Sequence, residues 1–170
     1  MALTSDSLLL ALSAEDVTDA SRFGPKAANL AALGRAGLRI PDGFCLGAEA
    51  YRRQVAALGL EETARAVFAS DDPADARRNA VRMRLGLLEE PIHTSVLEGL
   101  LEAWHALADR TGALTVVRSS ALVEDRFGSS FAGQFESYLG LEQEAEFLTA
   151  VRACWAALWS TRALRYMATH

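Results

Sequence analysis

Lys26 is the only lysine in the chain, and the remaining 16 of its 17 basic residues are arginines. It lies in the stretch RFGPKAANLAALGRAG (22–37), directly after Pro25, a residue favoured at the first position of a helix because it needs no N–H there. A lysine at such a position offers a compact ammonium on a flexible stem, which can reach a phosphate oxygen as a point charge. Chance retention of one lysine on a surface helix is the alternative interpretation, and Lys26 alone does not decide between the two.

A second cation, Arg118, stands where an apolar run gives way to a polar loop, in the stretch VVRSSALVEDRFGSSFAGQFES (116–137). A guanidinium at the end of a buried strand needs an anionic partner or water. A phosphate suits it, because two N–H groups can bind two phosphate oxygens side by side. A salt bridge to Glu124, Asp125 or Glu136 is the alternative that the sequence offers.

The same loop carries a serine-containing segment bounded by glycines, whose candidate residues are Gly128, Ser129, Ser130, Gly133 and Gln134. Glycines at both ends allow backbone N–H groups to turn inward, and the hydroxyls add donors, so the segment is suited to cover phosphate oxygens. It is not a P-loop, because Gln134-Phe135 stands where Lys and Ser or Thr should follow the second glycine. An ordinary hairpin connection is the alternative.

The elements that would position these residues follow from apolar patterning and from the placement of glycine and proline. One predicted strand leads into Arg118, another follows the glycine-rich loop, and a predicted helix runs from Pro25 to a C-cap near Gly37. The predicted class is α+β, helix-rich, with one small sheet. The predicted strands are 7–12, 44–46, 113–121 and 136–141, and the further predicted helices are about 48–58, 61–69, 73–88, 91–109 and 143 to near the end.

Length and composition limit the kinds of protein that this sequence can encode. A chain of 170 residues with 51% hydrophobic content is long enough for one domain with a single core, and its net charge of −5 argues against a general nucleic-acid partner. The apolar run at 7–12 is too short to span a membrane and follows no positively charged region. Cys45 and Cys154 lie far apart in apolar contexts, which favours buried free thiols and no cysteine metal site. We therefore expect a soluble, cytoplasmic protein.

Three separated stretches resemble one known family and occur in the same order as in that family. They are FGPKAANLAALGRAGLRIPDGFCL, VVRSSALVEDRFGSSFAGQFESYLGL and AVRACWAALWSTRALRYM. They are similar to the N-terminal nucleotide-binding region of phosphoenolpyruvate synthase and pyruvate, phosphate dikinase, a module that rifampicin phosphotransferase shares. The resemblance extends over about residues 8 to 168 and implies the helix-rich first half of an ATP-grasp-type nucleotide-binding domain.

The resemblance also implies roles for the residues that match the motifs. Lys26 and Arg118 would contact the phosphates of ATP, and the segment from Gly128 to Gln134 would close over the β- and γ-phosphates. Ser119 and Ser120 match the same motif as candidates for phosphate binding. On this view Lys26 is kept as lysine because positioning and charge neutralisation are most of what phosphoryl transfer requires.

The chain departs from the family pattern at two positions. Pro25 stands where the family often has a second glycine before the lysine, and it lacks the backbone donor that glycine would offer to a phosphate. Met167 follows Tyr166 where the family often has arginine. Glu124 and Asp125 do match the family, and we interpret them as residues that order the loop.

The family passes a phosphoryl group from ATP to a histidine on a separate mobile domain and then to a small substrate. His93, His105 and His170 lie in no glycine-rich carrier loop, and we interpret them as structural or exposed residues. We therefore expect residues 1–170 to form a single partial domain, the N-terminal subdomain. The second ATP-grasp half with the Mg²⁺ ligands, the phosphohistidine domain and the substrate domain are expected outside it.

These expectations combine into one predicted function with two alternatives. The chain is predicted to be the ATP-binding portion of a phosphoenolpyruvate synthase-like or dikinase-like phosphotransferase, inactive without its partner domains, which act in cis or in trans. A stand-alone nucleotide-binding or interaction module without catalysis is one alternative. Rifampicin phosphotransferase chemistry is the alternative for the acceptor. No membrane or nucleic-acid partner is expected.

Overall fold

Short apolar runs form the strands of the computed structural model, which describes residues 8–120 and 137–168 of the chain, with side chains described up to residue 164. Strand β1 (Leu9–Ala11) pairs antiparallel with β2 (Phe44–Leu46), and β3 (Thr115–Arg118) pairs antiparallel with β4 (Ser137–Leu141). In the described residues the strands thus form two separate two-stranded sheets, where one sheet was expected. The predicted α+β, helix-rich class is confirmed.

Helices occupy most of the described chain, and those predicted between Pro25 and residue 88 are confirmed within a few residues. The helix predicted at 91–109 begins later, at Thr94. The bounds are α1 (Ala20–Phe23), α2 (Pro25–Arg35), α3 (Ala48–Ala57), α4 (Glu61–Ala69), α5 (Pro73–Glu89), α6 (Thr94–Thr111), α7 (Glu144–Ala157) and α8 (Thr161–Ala168), with a 3₁₀ turn at Glu15–Thr18.

Two departures from the predicted helices arise from side-chain caps. The single helix predicted after residue 143 is divided into α7 and α8, because the Ser160 hydroxyl accepts a hydrogen bond from the Ala163 N–H and starts a new helix. The stretch before Gly24, where no helix was predicted, contains the 3₁₀ turn and α1. There the Asp19 carboxylate accepts from the Ser21 N–H at 2.9 Å and caps α1.

Contacts divide the chain into two compact units, each with its own core. Of the described residues, the first unit comprises 8–51, 94–114 and 120, and it contains both strands of the first sheet together with α1, α2 and α6. Its central cluster places α2 against the first sheet and consists of Leu10, Val17, Phe23, Ala27, Ala31 and Cys45. Asp42, just before β2, binds the Arg110 guanidinium of α6 through both carboxylate oxygens, at 2.7 and 3.1 Å.

Of the described residues, the second unit comprises 52–93, 115–119 and 137–168. Helix α5 packs against α4 and α7, and its Met83 and Leu87 side chains are fully buried. Gln54 is also fully buried: its amide donates to the Pro91 carbonyl at 3.0 Å and accepts from the His93 N–H at 2.8 Å. Among the described helices, none combines the length and the apolar content needed to cross a membrane.

Candidate functional site

The N-terminus of α2 carries Lys26, the lysine singled out by the sequence. Gly24 is the residue before the helix, Pro25 is the first helical residue and the half-buried Lys26 is the second. Ala27, Ala28 and Ala31 bury the opposite face of the helix and hold it in the first unit. The first turn contains no acidic residue, so no carboxylate of α2 itself offsets the partial positive charge at this end of the helix.

Ser120, from the VRSS motif, caps this helix. The Ala27 N–H donates to the Ser120 hydroxyl oxygen at 3.0 Å, across 93 residues of sequence. Gly24 has no side chain to act as the cap, and Pro25 has no N–H, so Ser120 supplies an acceptor that α2 cannot provide for itself. A hydroxyl that accepts one hydrogen bond keeps its own proton for donation, and Ser120 therefore remains able to bind an anionic oxygen.

Gly24 allows Ser120 to lie this close to the N-terminus of α2. Its backbone angles, φ 81° and ψ 161°, lie in a region that is essentially restricted to glycine. A Cβ added at Gly24 would lie 1.5 Å from the Ser120 carbonyl oxygen, which is far inside contact distance. The sequence analysis did not include Gly24 among the site residues. The sequence signal that could have identified Gly24 is a glycine immediately before a helix that begins with proline, where a capping side chain is usual but not required.

Arg118 and Ser119 lie at the end of β3 and belong to the second unit. Arg118 is exposed and stands opposite Ser137 in the ladder, and Ser119 is half-buried. Of the predicted site residues, the structure therefore brings Ser120 to the helix that carries Lys26. The predicted contacts of Lys26, Arg118, Ser119 and Ser120 with nucleotide phosphates stay predictions.

The glycine-rich segment of the predicted site lies outside the described residues. This applies to Gly128, Ser129, Ser130, Gly133 and Gln134, and equally to the salt-bridge alternatives for Arg118, which were Glu124, Asp125 and Glu136.

The surroundings of two ionisable groups near α2 shift their pKa values. Hydrogen bonds from the Ser21 hydroxyl and N–H lower the pKa of Asp19, which caps α1 just before Gly24. Burial raises the pKa of the Cys45 thiol, beneath α2, to about 11. Both cysteines are free thiols, as predicted, although Cys154 is only half-buried.

The sequence analysis assigned the three histidines no catalytic role and expected the metal ligands outside this chain. His93 and His105 are exposed in the structure, and the His105 ring lies against Trp104 with 4.9 Å between ring centroids. His170 lies outside the described residues. In residues 8–120 and 137–168 there is no group of three or more His, Cys, Asp or Glu side chains that could hold a metal ion.

A helix N-terminus can bind anions through its backbone N–H groups, as in P-loop and dinucleotide-binding proteins, and here a lysine in the first turn and the Ser120 hydroxyl lie beside it. Comparison with protein families identifies the kind of domain. Residues 20–170 match the AMP/ATP-binding domain of pyruvate phosphate dikinase. The chain belongs to this family, as the three motif stretches indicated, and ATP is thereby confirmed as a ligand of the domain type.

Several relatives with named activities share this region. The chain is 36% identical over 154 residues to phosphoenolpyruvate synthase from Aeropyrum pernix, an alignment that covers 84% of this chain and 18% of the relative. It is 34% identical over 157 residues to rifampicin phosphotransferase from Streptomyces sviceus, covering 89% and 18%. It is 35% identical over 164 residues to a prodigiosin synthesizing transferase from Serratia marcescens, covering 95% and 17%. The chain thus spans less than a fifth of the length of these relatives.

Proposed function

We propose that this chain binds ATP through its phosphates and serves as the nucleotide-binding portion of a larger phosphotransferase. The observation that carries the proposal is the Ser120 cap on α2, which joins the lysine motif to the VRSS motif at one helix end. The two motifs are far apart in sequence, and a role in a common site explains why both are present.

Each residue has a distinct role in this proposal. The Lys26 ammonium neutralises phosphate charge at the α2 N-terminus, and the Ser120 hydroxyl donates to a phosphate oxygen while it caps the helix. Arg118 precedes Ser120 by two residues, which limits the separation of their Cα atoms to about 7 Å. The Arg118 guanidinium can therefore bind a second phosphate of the same nucleotide. Ser119 and the segment from Gly128 to Gln134 complete the cover of the phosphates.

The complete reaction requires parts of the enzyme beyond these residues. We propose that a second ATP-grasp half supplies the ligands for Mg²⁺, which would neutralise charge on the β- and γ-phosphates. A carrier histidine on another domain then accepts the phosphoryl group, in the same polypeptide or in a partner, in the cytoplasm. Phosphate binding and orientation are the contributions of this chain.

The relatives differ in what they act on, so the acceptor is a separate question from ATP binding. Their names include a synthase of phosphoenolpyruvate and a phosphotransferase acting on rifampicin, with similar identity to this chain. A dikinase-like or synthase-like acceptor is our proposal, and an antibiotic is the alternative. A stand-alone nucleotide-binding module without catalysis is the alternative to the enzyme itself.

The proposal can be tested by NMR titration of the isotope-labelled chain with ATP. We expect shifts at residues 24–30 and 118–120, their loss in Lys26→Ala, and their retention in Arg35→Ala, which removes an exposed cation from the other end of the same helix. A site without Mg²⁺ ligands should bind in the millimolar range, which corresponds to about −4 kcal/mol. Shifts that are identical in Lys26→Ala, or absent from the folded chain at several millimolar ATP, would contradict the proposal.

A further inference from the structure

The exposed side of α5 concentrates positive charge in an otherwise acidic protein. Arg77, Arg78, Arg82 and Arg84 all lie there, on the side away from the buried Met83 and Leu87. Together with Val81 and Leu85 we call these four arginines the arginine face. The whole chain has a net charge of −5, so four arginines within about two turns of one helix locally reverse the sign of its charge.

Three of these four guanidinium groups have no ion-pair partner among the described residues. Arg78 forms an ion pair with Asp75 on the same helix. For Arg77, Arg82 and Arg84, the part of the chain that the structure describes offers no carboxylate within ion-pair distance. The face therefore retains three cations that an external anion can bind.

An apolar stripe runs between the arginines. Val81 and Leu85 are 50% and 48% exposed and lie one turn apart, so they form a continuous ridge with arginines on both sides. A shallow depression of about 390 Å³ is lined by Arg77, Arg78, Val81 and Arg82. The aliphatic stems of the arginines extend the apolar floor, while their guanidinium groups form a charged rim.

We infer that the arginine face docks an acidic amphipathic helix of a partner polypeptide. Such a helix places an aliphatic side chain over Val81 and Leu85 and carboxylates on either side, which matches both the apolar stripe and the charged rim. A nucleic-acid backbone would meet the guanidinium groups but leave the apolar stripe against polar phosphates. A membrane surface would require a broader apolar face than two aliphatic residues.

The test uses the full chain and a fluorescent helical peptide with leucines one turn apart and glutamates on both flanks. Its control peptide has the same composition with the leucines on opposite faces. We expect saturable binding of the patterned peptide only, weakened by salt because it depends on charge. The double variant Arg77→Gln/Arg82→Gln should weaken binding about fivefold, as expected for two exposed charge pairs. The matched variant Arg35→Gln/Arg39→Gln, which removes exposed arginines of the first unit, should change it less than about twofold.

Several results would overturn the inference. They are no saturable binding at millimolar peptide, equal binding of the two peptides, and equal losses in the two double variants. Tighter, Arg77-dependent binding of duplex DNA or of phosphatidylserine vesicles would assign the face to another class of partner. Self-association in sedimentation, abolished by Arg77→Gln/Arg82→Gln, would show instead that a second copy covers it.

Discussion

At the scale of single residues, Gly24 and Ser120 determine whether the α2 N-terminus is assembled. The sequence identified Lys26, Arg118 and the two serines as candidates from residue type and motif, and the structure adds how Ser120 is used. That use depends on a contact between positions 93 residues apart, which no local pattern in the sequence contains. The need for glycine at position 24 follows from the same contact.

Gly24→Ala should destabilise the chain more than Gly37→Ala. Both glycines have positive φ, 81° and 82°, but an added Cβ meets the Ser120 carbonyl at 1.5 Å in the first case and nothing within 4 Å in the second. We expect Gly37→Ala to cost about 1 kcal/mol from backbone strain alone and Gly24→Ala roughly 3 kcal/mol or more. Urea denaturation measures both values, and equal losses would mean that the approach of Ser120 to Gly24 is not tight.

Cys45 should make the free energy of unfolding depend on pH in the alkaline range. Burial raises its pKa from the ordinary 9.0 to about 11, so below pH 9.0 the thiol is protonated in both folded and unfolded chains. Between these values the unfolded chain loses the proton first, and the free energy of unfolding falls with a limiting slope of about 1.4 kcal/mol per pH unit. Cys45→Ala should remove this component, whatever its effect at neutral pH. An unchanged alkaline slope in that variant would contradict the assignment.

At the scale of elements, caps decide where helices begin, and they explain most differences from the sequence-based prediction. Pro25, the first residue of α2, was informative because its effect is local. Ser160 and Asp19 were equally local signals that the prediction did not use, so the break between α7 and α8 and the presence of α1 were missed. The division of the strands into two sheets depends on tertiary pairing and could not be read from apolar runs.

Ser120→Ala tests the cap of α2 as an element. Loss of a helix cap typically costs about 1 kcal/mol, and Ser120→Thr should restore most of it because threonine keeps the acceptor oxygen. Thermal unfolding gives the stability, and hydrogen exchange of the Ala27 amide reports the cap directly, since that N–H loses its acceptor. Unchanged exchange at Ala27 in Ser120→Ala would show that the serine does not cap the helix in solution.

Gln54 ties the segment between α5 and α6 to α3. Replacing it with leucine leaves the Pro91 carbonyl and the His93 N–H without their buried partner, at a cost of roughly 3 kcal/mol. Gln143→Leu, at the exposed start of α7, serves as the control and should cost below about 1 kcal/mol. Chemical denaturation compares the two, and a neutral Gln54→Leu would contradict the structural role of the amide.

At the scale of the whole molecule, the sequence predicted the family and the ligand more fully than it predicted the architecture. Three motifs in the family's order indicated membership of the family, and a match over residues 20–170 confirmed it. The organisation into two units, each with its own core, depends on long-range packing and was not foreseen. The arginine face was also overlooked, because the overall charge of −5 conceals a cluster that only the helical arrangement of α5 assembles.

The central claim is that this chain recognises the phosphates of ATP, and the most direct measurement compares its affinities for ATP and adenosine in the wild type and in Lys26→Gln. We predict that wild type prefers ATP, and that Lys26→Gln loses roughly tenfold for ATP, as expected for one charge-assisted contact of about 1.5 kcal/mol, with adenosine unaffected. An equal preference for ATP in both proteins, or equal losses of affinity for ATP and adenosine in Lys26→Gln, would contradict the claim that Lys26 contacts the phosphates.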